Sequence, residues 1–352
     1  MFLYFLALGV FAMGTSEFML AGLVPGIAAA LGVSVAQAGS LTSAFAAGMV
    51  AGAPLMAALS RTWRRRIALR AFLVLFVVAH VVGGLTTSFA VLLATRVVAA
   101  VANAGFLAVA LTVERRGRAI AVLLGGTTLA CVAGIPGGAL LDAAFGWRAA
   151  FWTVAGLCLP AFAAVSRVPD TPAGGTADLR SELRELRPLA GVLLLGALVN
   201  AATFGVFTYL APVAEGVAPV PVVLAAFGAG CFAGITAAGR LADRWPGRVI
   251  TIGGSLLLAG WVVLALTARV PAALVVEAFT QGALSFAVGG TVITRILHLA
   301  AGAPTMAGSY ATAALNIGAT AGPVLAGAAN PFRVAAGLVA AALVVHALRR
   351  RT

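Results

Sequence analysis

The sequence contains no lysine and few charges of any kind, since charged residues make up only 9% of its 352 positions. A soluble domain carries about 25% charged residues, because these side chains cover its water-facing surface. Hydrophobic residues reach 62% here, whereas soluble proteins have about 45–50%. This composition excludes a soluble enzyme, a secreted disulfide scaffold and a disordered chain. It predicts a protein that crosses a membrane many times.

Cysteine is also scarce, and its placement argues against a metal site. Cys131, Cys158 and Cys231 lie inside separate apolar runs, without the spacing of metal ligands. We expect them to be small residues buried in the core. The histidines are isolated on apolar or terminal stretches, and we interpret them as packing or interface residues without a metal role: His80, His298 and His346.

Long apolar runs dominate the chain. A membrane-spanning helix needs about 20 mostly apolar residues. Twelve stretches approach or exceed this length, the last of them short: 2–24, 37–59, 68–87, 89–112, 119–142, 149–166, 189–211, 220–239, 249–268, 271–294, 304–327 and 332–348. We therefore predict an all-α membrane protein with twelve transmembrane helices.

The arginines are distributed unevenly between the two sets of loops. If the N-terminus is inside, 19 of the 23 arginines fall in cytoplasmic loops or the C-terminal tail, and three fall in outer loops. Cytoplasmic loops of membrane proteins carry such a basic excess. We therefore expect both termini to be cytoplasmic. The remaining arginine, Arg96, lies within a predicted span.

The longest polar stretch divides the spans six and six. We predict an N-terminal six-helix bundle at 1–166, a cytoplasmic linker at 167–188 and a C-terminal six-helix bundle at 189–352. Motifs in the two halves repeat at a nearly constant offset: Gly134-Ile-Pro136 corresponds to Ala321-Gly-Pro323, and Pro25 corresponds to Pro212. This repetition indicates a duplicated, pseudo-symmetric six-helix unit, which is typical of transporters with a central substrate site.

Three motifs stand out, one after the predicted eighth span, one in the fourth span and one in the fifth. The segment 239–248 reads Gly-Arg-Leu-Ala-Asp-Arg-Trp-Pro-Gly-Arg, Arg96 is followed by Asn103-Ala-Gly105, and the fifth span contains Gly134-Ile-Pro-Gly-Gly138. These motifs resemble signatures of the major facilitator superfamily, and the last is typical of its drug–proton antiporters. Stretches 11–23, 102–111 and 308–318 are similar to those of actinobacterial chloramphenicol exporters. The resemblance extends from about residue 3 to about residue 325.

The resemblance implies the superfamily fold and proton-coupled efflux of a hydrophobic drug by alternating access. Chloramphenicol and related phenicols are the expected drugs, the proton is the coupling ion, and no other cofactor is expected. The expected partners are the drug, protons and the lipid bilayer, with no nucleic acid. We expect a monomer in a bacterial plasma membrane.

Other functions stay open at this point. One alternative is export of sugars or other small metabolites on the same fold. Another is a degenerate, non-transporting member, because Ser60 stands where the superfamily usually has aspartate and several loops are short. An enzyme is not expected, since no nucleophile–base pair or carboxylate pair appears at the predicted membrane interfaces.

Glu17 and Arg96 are charges deep inside predicted spans. A charge at mid-membrane costs at least a few kcal/mol and is therefore functional by default. Counting along the helices at about 1.5 Å per residue places both at a similar depth in the outer half. We interpret Glu17 as the exchangeable proton site and Arg96 as the residue that tunes it. The alternative is a static buried ion pair, or an Arg96 that extends outward to the interface.

The resemblance also implies two devices for conformational change. Asp243, with Arg244 and Arg248, corresponds to a latch that closes one conformer at the cytoplasmic side; the alternative is a solvated turn with a capping aspartate. The second device is the antiporter motif on the fifth helix, which is expected to lie against the other half: Gly134, Pro136, Gly137 and Gly138. Its glycines permit close helix packing, and its proline favours a kink.

A drug site should be mostly apolar and aromatic, with a few polar groups. On the superfamily plan, helices one, four, seven and ten line the cavity. The predicted substrate-binding residues are therefore Phe18, Asn103, Asn200, Thr203, Phe207, Tyr209, Gln281 and Ser285, with Asn316 possible on helix eleven. Each polar member could instead form a hydrogen bond between helices.

Overall fold

The computed structural model describes residues 2–59, 63–113, 117–168, 186–241, 244–300 and 307–349. These segments are overwhelmingly helical. The predicted cytoplasmic linker, 167–188, lies largely outside the described residues, and so do Ser60 and Asp243. The predicted domain boundaries therefore stay a prediction.

The first predicted span is broken into two helices, α1 (Phe2–Phe18) and α2 (Leu20–Leu31). Their axes differ by 52° at the break at Met19. Pro25 lies inside α2, one and a half turns after this bend. The helix ends at Gly32, whose φ of 63° lies in the left-handed region and allows its N–H to bond the Ala28 carbonyl.

The remaining helices follow the order that the apolar runs predict. Those before the linker are α3 (Val35–Leu59), α4 (Arg65–Leu85), α5 (Phe89–Val113), α6 (Gly117–Phe145), α7 (Trp147–Leu157) and α8 (Leu159–Val165). Those after it are α9 (Leu186–Ala214), α10 (Val220–Leu241), α11 (Pro246–Thr267), α12 (Pro271–Leu299), α13 (Ala307–Gly327) and α14 (Pro331–Leu348). Helix α11 contains a π-helical turn, Val249–Gly253.

Most of the predicted spans are long and apolar enough to cross a membrane. In the described part of the chain, nine helices meet this standard, or ten when the bent pair α1–α2 is one span. The predicted fifth and eleventh spans correspond to α6 and α13, which are 29 and 21 residues long but do not meet it over their described residues. The all-α membrane fold is thus confirmed, while the count of twelve rests partly on these two helices.

Among the described residues, the two halves meet mainly along three pairs of helices, α3 with α13, α6 with α10, and α2 with α9, with smaller contacts of α9 with α3 and of α10 with α2. Small residues make these contacts close, as where a Cβ added to Gly228 would lie 3.0 Å from the Val132 carbonyl oxygen. Each half also has its own interior. One large apolar cluster, from Leu6 to Val168, lies wholly within the first half. A second cluster joins residues of both halves and contains Phe18 and Phe207.

Candidate functional site

Arg96 is buried in the interior of the N-terminal half, with 1% of its surface exposed. It projects from α5 to the end of α1, just before the bend. Its Nη2 donates to the main-chain oxygen of Ser16 and to the Ser16 Oγ, both at 2.8 Å. The guanidinium therefore supplies donors to the first helix within one turn of the bend. Side chains that bond to the main chain in this way often accompany helix kinks.

His80 of α4 completes a chain of hydrogen bonds behind Arg96. Its Nδ1 lies 2.8 Å from the Phe76 carbonyl oxygen, and its Nε2 lies 2.8 Å from the Ser16 Oγ. A carbonyl oxygen only accepts, so Nδ1 carries the proton and neutral Nε2 accepts from the Ser16 hydroxyl. Ser16 in turn accepts from Arg96. His80 is buried, as a packing residue should be, but its hydrogen bonds to Ser16 and Phe76 were not predicted.

Aromatic rings enclose this polar network. The Arg96 guanidinium lies 4.9 Å from the ring centre of Phe45 and 5.6 Å from that of Phe151. The His80 ring lies 4.1 Å from the Phe76 ring and 5.7 Å from the Phe151 ring. Aromatic faces attract a guanidinium, most strongly where water is excluded. They also hold the cation without neutralising its charge.

Glu17 follows Ser16 directly and is partly buried. Its carboxylate and the Arg96 guanidinium are close enough to interact electrostatically. Within the described residues, however, they form no ion pair: the Arg96 Nη2 is bonded to Ser16, and its Nη1 lies 3.5 Å from the His80 Nε2. The structure thus brings Glu17 and Arg96 close together, but the Arg96 guanidinium is bonded to Ser16, the residue next to Glu17. A static buried ion pair between them is not observed.

The next residue, Phe18, connects this network to the other half. Its ring lies 6.3 Å from that of Phe204 and 6.2 Å from that of Phe207, both on α9. Phe207 also stacks on Phe227 of α10 at 5.4 Å. We call these four side chains the aromatic cluster. Two of its members, Phe18 and Phe207, were predicted as substrate residues, whereas Phe204 and Phe227 were not singled out.

The polar residues predicted on α9 form hydrogen bonds within the helical bundle. Asn200 donates to the Leu315 carbonyl at 2.7 Å, and Tyr209 donates to the Pro323 carbonyl at 2.9 Å, so both join α9 to α13. Thr203 donates to the Val199 carbonyl of its own helix at 2.9 Å. The bonds of Asn200 and Tyr209 are the interhelical alternative that the sequence left open. The residues lie beside the aromatic cluster but have their donors satisfied.

Asn103, Gln281 and Ser285 are buried. The Asn103 amide lies 3.8 Å from the Met49 sulfur. Gln281 donates to Glu277 at 3.0 Å and lies against Gly260 of α11. Helix α12 packs on α9, α10, α11 and α13, so Gln281 and Ser285 lie in the interior of the C-terminal half. The Gln281 Oε1 and the Ser285 Oγ have no hydrogen-bond partner among the described residues.

The antiporter motif places two of its glycines, Gly134 and Gly138, against the end of α1 and the bend that follows it. A Cβ added to Gly134 would lie 3.1 Å from Thr15, and one added to Gly138 would lie 2.7 Å from the Met19 main-chain oxygen. An added Cβ at Gly137 has nothing within 4 Å, and Pro136 is partly buried. Helix α6 also contacts the other half, through α10. The motif therefore holds α1 and its bend close to a helix that itself touches the second half.

Of the three residues of the predicted latch, the structure describes Arg244 and Arg248. Asp243 lies outside the described residues. Arg244 is exposed, and the Arg248 guanidinium lies 4.0 Å from the ring centre of Trp245. The described residues contain no group of three or more His, Cys, Asp and Glu side chains placed to hold a metal ion.

Comparison with known proteins extends these observations. The Major Facilitator Superfamily sequence model matches residues 6–218. A chloramphenicol resistance protein of Streptomyces lividans is 57% identical over 97% of this chain and 94% of its own length. The inner membrane transport protein YdhP of Escherichia coli K12 is 31% identical over 92% of this chain and 87% of its own length.

A solved structure shares the architecture. It is a bacterial homolog of the human lysosomal transporter Spinster, in an inward-facing and unoccupied conformation, and it matches with a TM-score of 0.68 at 20% identity. The match covers 92% of this chain and 80% of that one. At this identity the likeness shows a common fold.

Proposed function

The chain belongs to the Major Facilitator Superfamily and is a transporter rather than an enzyme, and from this premise we propose that it exports a hydrophobic antibiotic in exchange for protons. The proposed drug is chloramphenicol or another phenicol, because the Streptomyces lividans relative is named a chloramphenicol resistance protein. The proposed location is a bacterial plasma membrane, with both termini cytoplasmic and the protein as a monomer. The arginine asymmetry supports this orientation.

The observation that carries the proposal is the sequence of three neighbours at the bend of α1. Ser16 is bonded to the buried Arg96, Glu17 is a partly buried carboxylate, and Phe18 packs on α9 of the other half. A change of charge at Glu17 thus occurs next to a contact between the halves. In the proposed mechanism, protonated and charged Glu17 favour opposite conformers, and this difference couples proton movement to alternating access.

The aromatic cluster supports a hydrophobic substrate. Drug sites are mostly apolar and aromatic, with a few polar groups that orient the ligand. Phe18 and Phe207 provide rings from both halves, so a drug that separates them contacts both halves at once. Glu17 is the charged group beside them. Sugar export, in contrast, would call for polar side chains at this place.

The energetics suit outward transport. Chloramphenicol is neutral, so exchange for one proton moves one positive charge inward. The membrane potential then adds about 2.3 kcal/mol per 100 mV to the driving force from the pH gradient. The proposed latch of Asp243, Arg244 and Arg248 stabilises the conformer that is closed at the cytoplasmic side.

The test is chloramphenicol accumulation in a sensitive host. Cells would express the wild type, Glu17→Gln or Glu277→Gln, or carry the empty vector, each measured with and without a proton uncoupler. We expect lower accumulation in the wild type, abolished by the uncoupler and by Glu17→Gln. Glu277 is the matched control, because it is also a partly buried carboxylate in a membrane helix but bonds to Gln281 within the other half.

Two results would contradict the proposal. Equal accumulation in all strains, despite equal amounts of protein in the membrane, would exclude chloramphenicol or transport itself, and a degenerate member would then be the better description. Export by Glu17→Gln that still responds to the uncoupler would place the proton site at another residue.

A further inference from the structure

We propose that His80 and Ser16 are positioning residues that hold the Arg96 guanidinium at the bend of α1 and so prevent it from closing an ion pair with Glu17. The inference rests on the proposed function, because it takes Glu17 as the proton site. It assigns a role to a histidine and a serine that lie 64 residues apart in the chain.

The first step is the direction of the hydrogen bonds. The Ser16 hydroxyl has a single proton, and it is donated to the unprotonated Nε2 of His80. The lone pairs of the hydroxyl oxygen are then free to accept from the Arg96 Nη2 at 2.8 Å. If the acceptor at position 80 were lost, the hydroxyl proton would have no partner on that side. The Ser16 Oγ would then be a weaker acceptor for the Arg96 guanidinium.

The second step is the competing partner. Arg96 is almost fully buried, and its Nε has no hydrogen-bond partner among the described residues. A guanidinium in such surroundings binds a carboxylate strongly, often through two parallel hydrogen bonds. The Glu17 carboxylate belongs to the residue next to Ser16. A guanidinium that loses the Ser16 hydroxyl keeps the Ser16 carbonyl as an acceptor, but the Glu17 carboxylate is an acceptor of greater strength close by.

The third step is the consequence for proton exchange. A carboxylate paired with arginine in a water-poor site favours its charged form. Such a pair resists protonation from the outside, so the transport cycle would stall with Glu17 charged. The elements around the network contribute aromatic rings rather than further charges: Phe45 from α3, Phe76 from α4 and Phe151 from α7. Arg96, His80 and Glu17 are thus the ionisable groups that interact here among the described residues.

The experiment compares substitutions that remove or preserve the acceptor. His80→Phe keeps an aromatic ring but loses both nitrogens, Ser16→Ala removes the hydroxyl, and His80→Gln places an amide oxygen near the position of Nε2. His346→Phe is the matched control, because His346 is also buried and lies 3.2 Å from a threonine hydroxyl, in the other half. The purified variants in proteoliposomes would be assayed for chloramphenicol–proton exchange as a function of the pH on the proton-loading side.

We expect the pH of half-maximal exchange to move about one unit toward acid in His80→Phe and Ser16→Ala, since a direct arginine partner favours a charged carboxylate by at least that much. Exchange above that midpoint would fall about tenfold, while the KM for chloramphenicol changes less than about twofold, because the aromatic cluster is intact. His80→Gln and His346→Phe should both show the pH dependence of exchange of the wild type. A general loss of packing would lower the rate at every pH and would leave the midpoint in place.

An unchanged or more alkaline midpoint in His80→Phe and Ser16→Ala would overturn the inference, as would a His80→Gln midpoint shifted as far as that of His80→Phe. If His80→Phe does not fold, Ser16→Ala decides, since it removes a single oxygen. Glu17→Gln in the same assay separates the two proposals. If that variant loses coupling while His80→Phe behaves like the wild type, only the inference falls, and if Glu17→Gln stays coupled, both fall.

Discussion

The Phe18 ring of α1 and the Phe207 ring of α9 meet edge to face, 6.2 Å apart at their centres and 66° between their planes. The contact joins the first helix of one half to the first helix of the other. Phe18 directly follows Glu17. A change of charge at Glu17 that shifts the bend at Met19 would therefore move the Phe18 ring relative to Phe207.

Replacing Phe207 by leucine should weaken drug binding more than it weakens the fold. The substitution keeps an apolar side chain but removes ring contacts to Phe18, Phe204 and Phe227. Aromatic pairs contribute about 0.5–1.5 kcal/mol beyond their buried area, so we expect the KM for chloramphenicol export to rise up to about tenfold. Phe279→Leu is the control, because Phe279 is 43% exposed on α12. A similar KM in both variants would exclude the aromatic cluster as the drug site.

The glycines of the antiporter motif should differ sharply from one another. Gly138→Ala places a Cβ 2.7 Å from the main-chain oxygen of Met19, whereas Gly137→Ala meets nothing within 4 Å. Overpacking of this kind costs about 1–3 kcal/mol, and here it forces α6 away from the bend of the first span. We expect Gly138→Ala to lower the midpoint of thermal unfolding in detergent and to abolish export. Gly137→Ala should retain both, and equal effects of the two substitutions would contradict the packing described here.

Tyr209→Phe should alter stability rather than substrate recognition. The substitution removes the hydroxyl that donates to the Pro323 carbonyl and joins α9 to α13. Interhelical hydrogen bonds in membranes contribute about 0.6 kcal/mol on average, so we expect a small decrease in thermal stability and an unchanged KM. Tyr4→Phe, at a 64% exposed position, should change neither. A rise in KM for Tyr209→Phe alone would show that its hydroxyl contacts the drug.

Cross-linking Cys131 to Cys231 should stop the transport cycle. The two buried thiols belong to one apolar cluster and lie on α6 and α10, which pack against each other across the halves, and alternating access requires the halves to move relative to each other. In a Cys158→Ser background, oxidation or a mercury ion should link them, and a reductant or competing thiol should restore export. The link can be detected on a gel after cleavage at a protease site inserted between residues 169 and 185. Export that continues while the fragments are linked would contradict movement at this interface, and Cys131→Ser provides the unlinked control.

The arrangement around Arg96 illustrates how far the sequence could be interpreted. The charge of Arg96 within an apolar run was sufficient to predict an interior residue, and the depth count placed it level with Glu17. The hydrogen-bond partner of Arg96 was not the Glu17 carboxylate. Its guanidinium donates instead to the Ser16 Oγ and to the Ser16 carbonyl. Ser16 and His80 carried no signal of their own, since an isolated serine and an isolated histidine in apolar runs occur in many packing environments. The functional roles of Glu17 and Arg96 stay predictions.

The predicted substrate residues divide in a similar way. Phe18 and Phe207 do meet across the halves, because helices one and seven face each other at the interface. Gln281 was placed in the cavity by its helix number alone, yet its side chain lies against Gly260 of α11. Which face of a helix turns inward depends on the neighbouring helices, and a run that is apolar on all sides does not reveal that face.

The sequence by itself determined the membrane environment, the positions of most spans and the family, because these follow from composition, run length and motifs that are local in the chain. Only the tertiary structure decided that the first span bends at Met19, between α1 and α2, that Gly138 faces that bend, and that His80 and Ser16 bind Arg96. The physical reason is that lipid tails accept any apolar side chain equally, so hydrophobicity identifies a membrane helix without specifying its rotation. That rotation is set by close packing and by the few polar groups that must find partners inside the bundle.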